Sequence, residues 1–200
     1  MAQTEQVIKI MAEPQSDPNR CRFTLDKSII EGGSFFFENE AEAKGSPLAE
    51  AIFAAGGIVS VLAGGAIIQV VKSEEGDWRA VAPKIGAAIR SALNSGKPLI
   101  SEEAKNKLPN ENEIREKVKK LLETEINPAV ASHGGYIELL DVKKNDIFIK
   151  MGGGCQGCAM STATLKQGVE QSLRKEIPHL GAIYDTTDHA SGQNPYYSAS

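Results

Sequence analysis

The chain has 200 residues, 41% of them hydrophobic, with a formal net charge of -4 and three cysteines. This length holds one large domain or two small ones, and the apolar content excludes a chain that is disordered throughout. The acidic balance supplies no electrostatic footprint for nucleic acid or for an anionic membrane, so neither is expected as a partner.

The opening stretch, MAQTEQVIKIMAEPQ, has no apolar run long enough for a signal peptide, and no later stretch is long enough to span a bilayer. A soluble, reducing, cytoplasmic setting is the expectation. Three cysteines build no secreted disulfide framework, and in such a setting a tight pair reads as metal-binding or redox-active.

VIKIM and CRFTL, between Val7 and Leu25, predict two short strands separated by AEPQSDPNR, whose prolines and Asp/Asn favour a loop; GSFFF adds a third. GSPLAEAIFAAGG predicts a short helix, with Ser46 as N-cap, Pro47 at its first position, Leu48, Ile52 and Phe53 facing the core, and Gly56-Gly57 as the stop. IVSVL and AIIQVV follow as a hairpin joined by Ala63-Gly64-Gly65. A second helix is predicted from Asp77 to Leu93, because Val81, Ile85, Ala88 and Ile89 share one face, with Pro83 kinking it or delaying its regular start. The polar segment NSGKPLISEEAKNKLPN, 94 to 110, lacks apolar periodicity and reads as a linker.

After it, Ile114, Val118, Leu121 and Leu122 repeat the helical stripe, and Asn127-Pro128 marks its expected boundary. YIELLDV and DIFIKM form a second hairpin around Lys143 to Asn145. A helix over Met160 to Lys175 follows, with Leu165, Val169 and Leu173 as its buried stripe and Pro178 just past its end. The tail from Asp185 is polar and is not expected in the core.

The chemistry concentrates in KMGGGCQGCAMSTATLKQG, residues 150 to 168. Strand, glycine-rich loop, Cys155, Cys158 and helix come in that order. Thiolates beside a helix N-terminus feel its positive end, which lowers their pKa and favours an anionic cluster. Glycines 152 to 154 and Gly157 allow unusual backbone angles and let main-chain N–H groups approach sulfur. A phosphate loop fails because Gly157 is followed by Cys158 and Ala159 in place of Lys and Ser/Thr. The bare GXXG of an RNA-binding loop, Gly154 to Gly157, lacks basic surroundings.

Three readings of the pair stand. It is a structural pair, a thioredoxin-like dithiol, or half of a metal site. The dithiol reading is weakened by a segment that offers two hairpin strands without a βαβ framework. For metal, four thiolates complete an iron-sulfur cluster or a tetrahedral zinc site, and one chain supplies two. Two chains would close the site, which predicts a homodimer when loaded. Cys21 reads as a buried strand residue, and His133, His179 and His189 as turn or exposed residues without ligand spacing. No nucleophile-elbow motif supports catalysis.

GGYIELLDV, MGGGCQGCAMSTATLKQGVEQSLRKEIP and the polar tail resemble the NifU-like C-terminal domain of the Nfu family of iron-sulfur carriers. DPNRCRFTL, SPLAEAIF and DWRAVAPKIGAAI are similar to the N-terminal domain of that family. The resemblance implies two α+β domains, each a short mixed or antiparallel sheet with helices packed on it. Residues 1–94 would form the N-terminal domain, with client recognition as its role, 95–110 the linker, 111–190 the cluster-binding domain and 191–200 a tail. It implies a non-enzymatic carrier that holds a [4Fe-4S] cluster between two protomers, with [2Fe-2S] as a second form, taking it from upstream donors and delivering it to apoproteins. Cys155 and Cys158 carry over as ligands, with Gly154 and Gly157 shaping the cluster-binding loop. Ala159 stands where many members have proline.

Overall fold

The computed structural model describes residues 8–132, 134–153 and 159–186, and over 159–165 the backbone alone. The chain divides into two compact units, Met1–Lys107 and Leu108–Ser200. Each combines a sheet with helices, the α+β class expected.

In the first unit β1 (Ile10–Pro14), β2 (Arg20–Leu25), β3 (Ile30–Phe37), β4 (Ile58–Gly65) and β5 (Ile67–Lys72) form an antiparallel sheet in the order β1-β2-β5-β4-β3. Alternation decides the faces: Cys21, Phe23 and Leu25 of β2 are buried while Arg20, Arg22 and Thr24 between them are half-buried. Helix α1 (Pro47–Phe53) packs on β4 and on α2 (Trp78–Asn94), burying Leu48 and Ile52 from one and Ile85 and Ile89 from the other. Pro83 lies inside α2 and does not delay its start, which is capped by the Asp77 carboxylate accepting from the Arg79 N–H. The β4–β5 turn is tighter than expected. Gly64 still pairs with Ile67, leaving Gly65, at φ 57°, and Ala66 to reverse the chain.

Two expectations about this unit are corrected. Ser46 precedes α1 but makes no side-chain cap; its buried Oγ instead accepts from the Ser101 N–H at 3.1 Å and bonds Ser101 Oγ at 3.3 Å. The segment read as a linker therefore belongs to the first unit in large part. Ile100 is buried, the Leu99 carbonyl accepts from the Leu48 N–H, and Ser101 caps a short helix α3 (Glu102–Asn106). One buried isoleucine in a polar stretch has no period to betray it.

The second unit begins with α4 (Glu111–Leu121), whose stripe Ile114, Val118, Leu121 with Leu122 is buried as predicted. The boundary at Asn127-Pro128 is not where the helix stops. A single π-helical turn (Leu122–Ile126) leads into α5 (Asn127–Ala131), with the Asn127 N–H bonding the Leu122 carbonyl. Pro128 is tolerated because it stands at the start of a new helical segment, where its missing donor leaves little unsatisfied. The Asn127 amide mimics a strand: it accepts from the Ile137 N–H at 2.8 Å and donates to the Ile137 carbonyl at 2.9 Å.

Strands β6 (Gly135–Lys143) and β7 (Asp146–Gly153) form the hairpin, α6 (Ala159–Glu176) follows, and β8 (Ile183–Asp185) returns parallel to β7, giving the order β6-β7-β8. Asp185, the first residue of the expected polar tail, thus ends a strand. Ile114, Val118, Ile137, Ile147, Ile149, Met151, Val169 and Leu173 share one core. No helix among the described residues is long and apolar enough to cross a membrane.

The turn into β8 is fixed by a polar hub. Arg174 of α6 donates to the carbonyls of Leu180 and Gly181 at 2.6 and 3.0 Å, Asp146 accepts from the Ala182 N–H at 2.7 Å, and the Gly181 N–H bonds the Asn145 carbonyl at 2.8 Å. A Cβ on Gly181 would collide with the Asp146 carboxylate and lie 3.0 Å from the Asn145 amide. Gly181→Ala is expected to destabilise the second unit by about 1–3 kcal/mol, read by urea unfolding in far-UV circular dichroism. The fluorescence of Trp78, the only tryptophan and a residue of the first unit, should keep its midpoint.

Candidate functional site

Strand β7 runs DIFIKMGG, with all of its residues buried except Lys150 and Gly153. It ends at Gly153, and α6 starts at Ala159. Gly154, Cys155, Gly157 and Cys158 fall between these two elements, outside the described residues. What the structure supplies is the frame on either side of them.

The strand end is built from glycine on both strands. Gly135 pairs with Gly153, and Tyr136 with Gly152. Gly153 has φ 66°, and a Cβ there would run into the Gly134 carbonyl. At this position the conformational freedom argued from sequence is used. Gly152 serves otherwise: its φ is ordinary, and the Tyr136 ring occupies the space a Cβ would need. Tyr136 remains 50% exposed, so an aromatic face lies directly at the base of the segment that carries the cysteines. Sequence reasoning missed Tyr136: counting back from the Lys144-Asn145 turn sets it opposite Gly153, and only the register shift between Leu139 and Asp141 brings it opposite Gly152.

On the far side, α6 is 18 residues long with no acidic residue in its first turn and Arg174 and Lys175 in its last. That charge order suits the helix dipole poorly at its N-terminal end, which follows Cys158 in sequence and favours negative charge. The helix is seated by Val169 and Leu173, both buried as expected; the side chain of Leu165 lies outside the described residues. A 2.9 Å ion pair from Lys166 to Asp185 and a 3.2 Å hydrogen bond from Thr186 Oγ1 to the Ile149 carbonyl tie α6 and β8 to the frame. The parallel β7-α6-β8 arrangement is a βαβ unit, contrary to the expectation that the segment lacked one. The strand that completes it is three residues long, too short for a periodic signal.

Among the described residues, no group of three or more His, Cys, Asp or Glu could hold a metal. His179, at φ 61°, offers its backbone carbonyl to the Asn145 amide at 3.0 Å, which is a turn role. His133 and His189 lie outside the described residues.

The family described as "NifU-like domain" matches residues 118–183, which span β6, β7, the cysteine pair and α6, and "Scaffold protein Nfu/NifU N terminal" matches residues 10–96. NifU-like protein 5, mitochondrial, of Arabidopsis thaliana is 33% identical over 197 residues, covering 93% of this chain and 72% of that protein. NifU-like protein 4, mitochondrial, of the same plant is 34% identical, covering 90% of this chain and 66% of that protein. Fe/S biogenesis protein NfuA of Pseudomonas aeruginosa is 45% identical over 107 residues, covering 53% of this chain and 51% of that protein. The chain thus spans about half of the bacterial relative and a larger share of the two plant ones.

Cys21 stands apart from this site as a wholly buried residue of β2. Burial is the main influence on its thiol and pushes its pKa up, with the Glu13 carboxylate adding to the rise and a backbone hydrogen bond from Glu13 opposing it. A thiol held protonated and shielded is a poor nucleophile. In the native chain Cys21 is expected to resist iodoacetamide at pH 8 and to react fully only in denaturant, as mapped by mass spectrometry of proteolytic peptides.

Proposed function

The chain belongs to the Nfu/NifU family, and from that premise we propose that it is an iron-sulfur cluster carrier without turnover of its own. Its cargo is a [4Fe-4S] cluster, held between two copies by Cys155 and Cys158 of each and passed to recipient apoproteins. The observation that carries this reading is the frame: a buried strand ending in close-packed glycines, then the cysteine pair, then the start of an 18-residue helix whose first turn holds no acidic residue. A [4Fe-4S] cluster takes four thiolates, one on each iron, and one chain supplies two, so a second copy completes the set. Cargo shared across a subunit boundary is released by separating two chains, which suits handing on. The curated relatives named for Fe/S biogenesis support the same function.

The backbone supports this role by the same physics. Main-chain N–H groups at the start of a helix are unpaired donors, and an anionic cluster is an acceptor. Lys166 and Asp185 pair at 2.9 Å along the helix flank.

The βαβ arrangement favours one second reading, a thiol-disulfide exchanger, because it sets a Cys-x-x-Cys between a strand and a helix. The two readings separate cleanly. Native mass spectrometry of the anaerobically reconstituted chain is expected to show two chains with four iron and four sulfide. A monomer without iron, whose thiols oxidise readily to a disulfide and which reduces insulin in the presence of a reductase, would establish the exchanger instead.

Two variants sharpen the test. Cys155→Ser and Cys158→Ser each remove two of the four thiolates per dimer and are expected to reduce bound iron and sulfide to background, measured after desalting; full retention by either would contradict the assignment. Gly153→Ala keeps both cysteines but forces the strand end away from the Gly134 carbonyl. It is expected to lose cluster faster than the native chain, followed by the decay of the visible absorbance under argon.

A further inference from the structure

The first unit has a second surface that cluster carriage does not use. Its sheet buries Phe23, Val61, Ile68 and Val70 on one face. On the opposite face, strand register sets Glu13, Arg22, Gln69, Leu62 and Phe36 in one row across all five strands. Val71 and Ile67 flank the row at half-buried positions, and Met11 on the edge strand is 58% exposed. The face is therefore mixed: Leu62, Phe36, Val71 and Ile67 lie among the polar Glu13, Arg20, Thr24, Ser60 and Gln69, with the Arg22 guanidinium in the middle row.

That guanidinium is incompletely satisfied. Arg22 Nε is buried and has no hydrogen-bond partner among the described residues. Nearly all buried polar atoms find a partner, and an arginine has no neutral form in which to escape the cost. Glu13 stands opposite it in the β1–β2 register, yet the described residues show no ion pair between the two. An acceptor supplied from outside would satisfy the atom.

We propose that this face is a docking surface for a protein segment that presents one carboxylate between apolar side chains. The carboxylate accepts from Arg22 through its Nε side, and the apolar groups cover Leu62, Phe36 and Val71. A planar, singly charged acceptor matches the guanidinium fork. A polyanion does not match, because the chain carries a net charge of -4 and Glu13 adjoins the site. The proposal stands apart from cluster binding, since it needs no metal.

The test uses the full-length, metal-free chain labelled with nitrogen-15 and the blocked peptide acetyl-Leu-Glu-Phe-amide, with acetyl-Leu-Gln-Phe-amide as its neutral counterpart. The Glu peptide is expected to shift the Arg22 Nε–H signal saturably, together with the amides of Leu62, Gln69 and Val71. Binding should weaken about tenfold or more for the Gln peptide, and likewise for Arg22→Lys and Arg22→Leu chains whose remaining amide spectra are unchanged. Equal binding of both peptides, binding retained in Arg22→Leu, or no saturable shift overturns the proposal. So does a Glu13→Gln chain in which the Arg22 Nε–H signal moves without peptide as far as the Glu peptide moves it, because Glu13 would then be the acceptor in solution.

Discussion

Strand β7 is clamped between an antiparallel neighbour and a parallel one, and the second unit is organised around that fact. A strand paired on both edges and buried on both faces reads as a continuous apolar run, and Ile147, Phe148 and Ile149 supply it. Its inner face meets α4 and α6 through Ile114, Val118, Val169 and Leu173. On its other face the ring of Phe148 stacks on Tyr184 of β8 with centroids 5.0 Å apart, and the Lys143 ammonium lies 5.2 Å from the Phe148 ring. A strand held this firmly gives the segment that follows it a fixed point of departure.

The two ends of that strand are treated differently. At the start, Asp146 is spent on main-chain satisfaction, accepting from Ala182 while Arg174 gathers the carbonyls of Leu180 and Gly181. These are charge-assisted contacts within a turn that has few other means of pairing its backbone. At the finish, side chains are removed instead: Gly152 makes room for the Tyr136 ring and Gly153 for the Gly134 carbonyl. Polar fastening at one end and close backbone approach at the other leave the glycine end as the place where chemistry can be attached.

Much of this was legible. The stripes Ile114-Val118-Leu121 and Val169-Leu173, the hairpins and the α+β class follow from period, because a buried face repeats. What escaped lacks repetition or depends on register. Strand β8 is three residues long, and its half-buried Ile183, Tyr184 and Asp185 are too few to show an alternation. Asn127 and Pro128 announce a stop that the π turn circumvents. Ser46 has the right identity for a cap, but its hydroxyl is claimed by Ser101, 55 residues away. For the site, Cys155 and Cys158 were named from spacing, whereas Tyr136 and the Lys166–Asp185 pair are visible only once strands and helix are placed together. Leu140, 45% exposed, sits where the β6–β7 register shifts, and the shift flips the alternation, so that Ile137 is buried before it and Val142 after it.

The parallel pairing of β8 also sets an order of assembly. The β6–β7 hairpin closes over two residues, whereas the bond from the Ala182 N–H reaches Asp146 across 36 positions. Loop-closure entropy makes the first contact early and the second late, since distant pairing is rewarded only after the intervening chain has been brought in. On a ribosome the difference is sharper, because Ile183 is synthesised only after the hairpin, the cysteines and α6 have all been made. The thiols therefore exist in a nascent chain before the last strand closes the frame on either side of them.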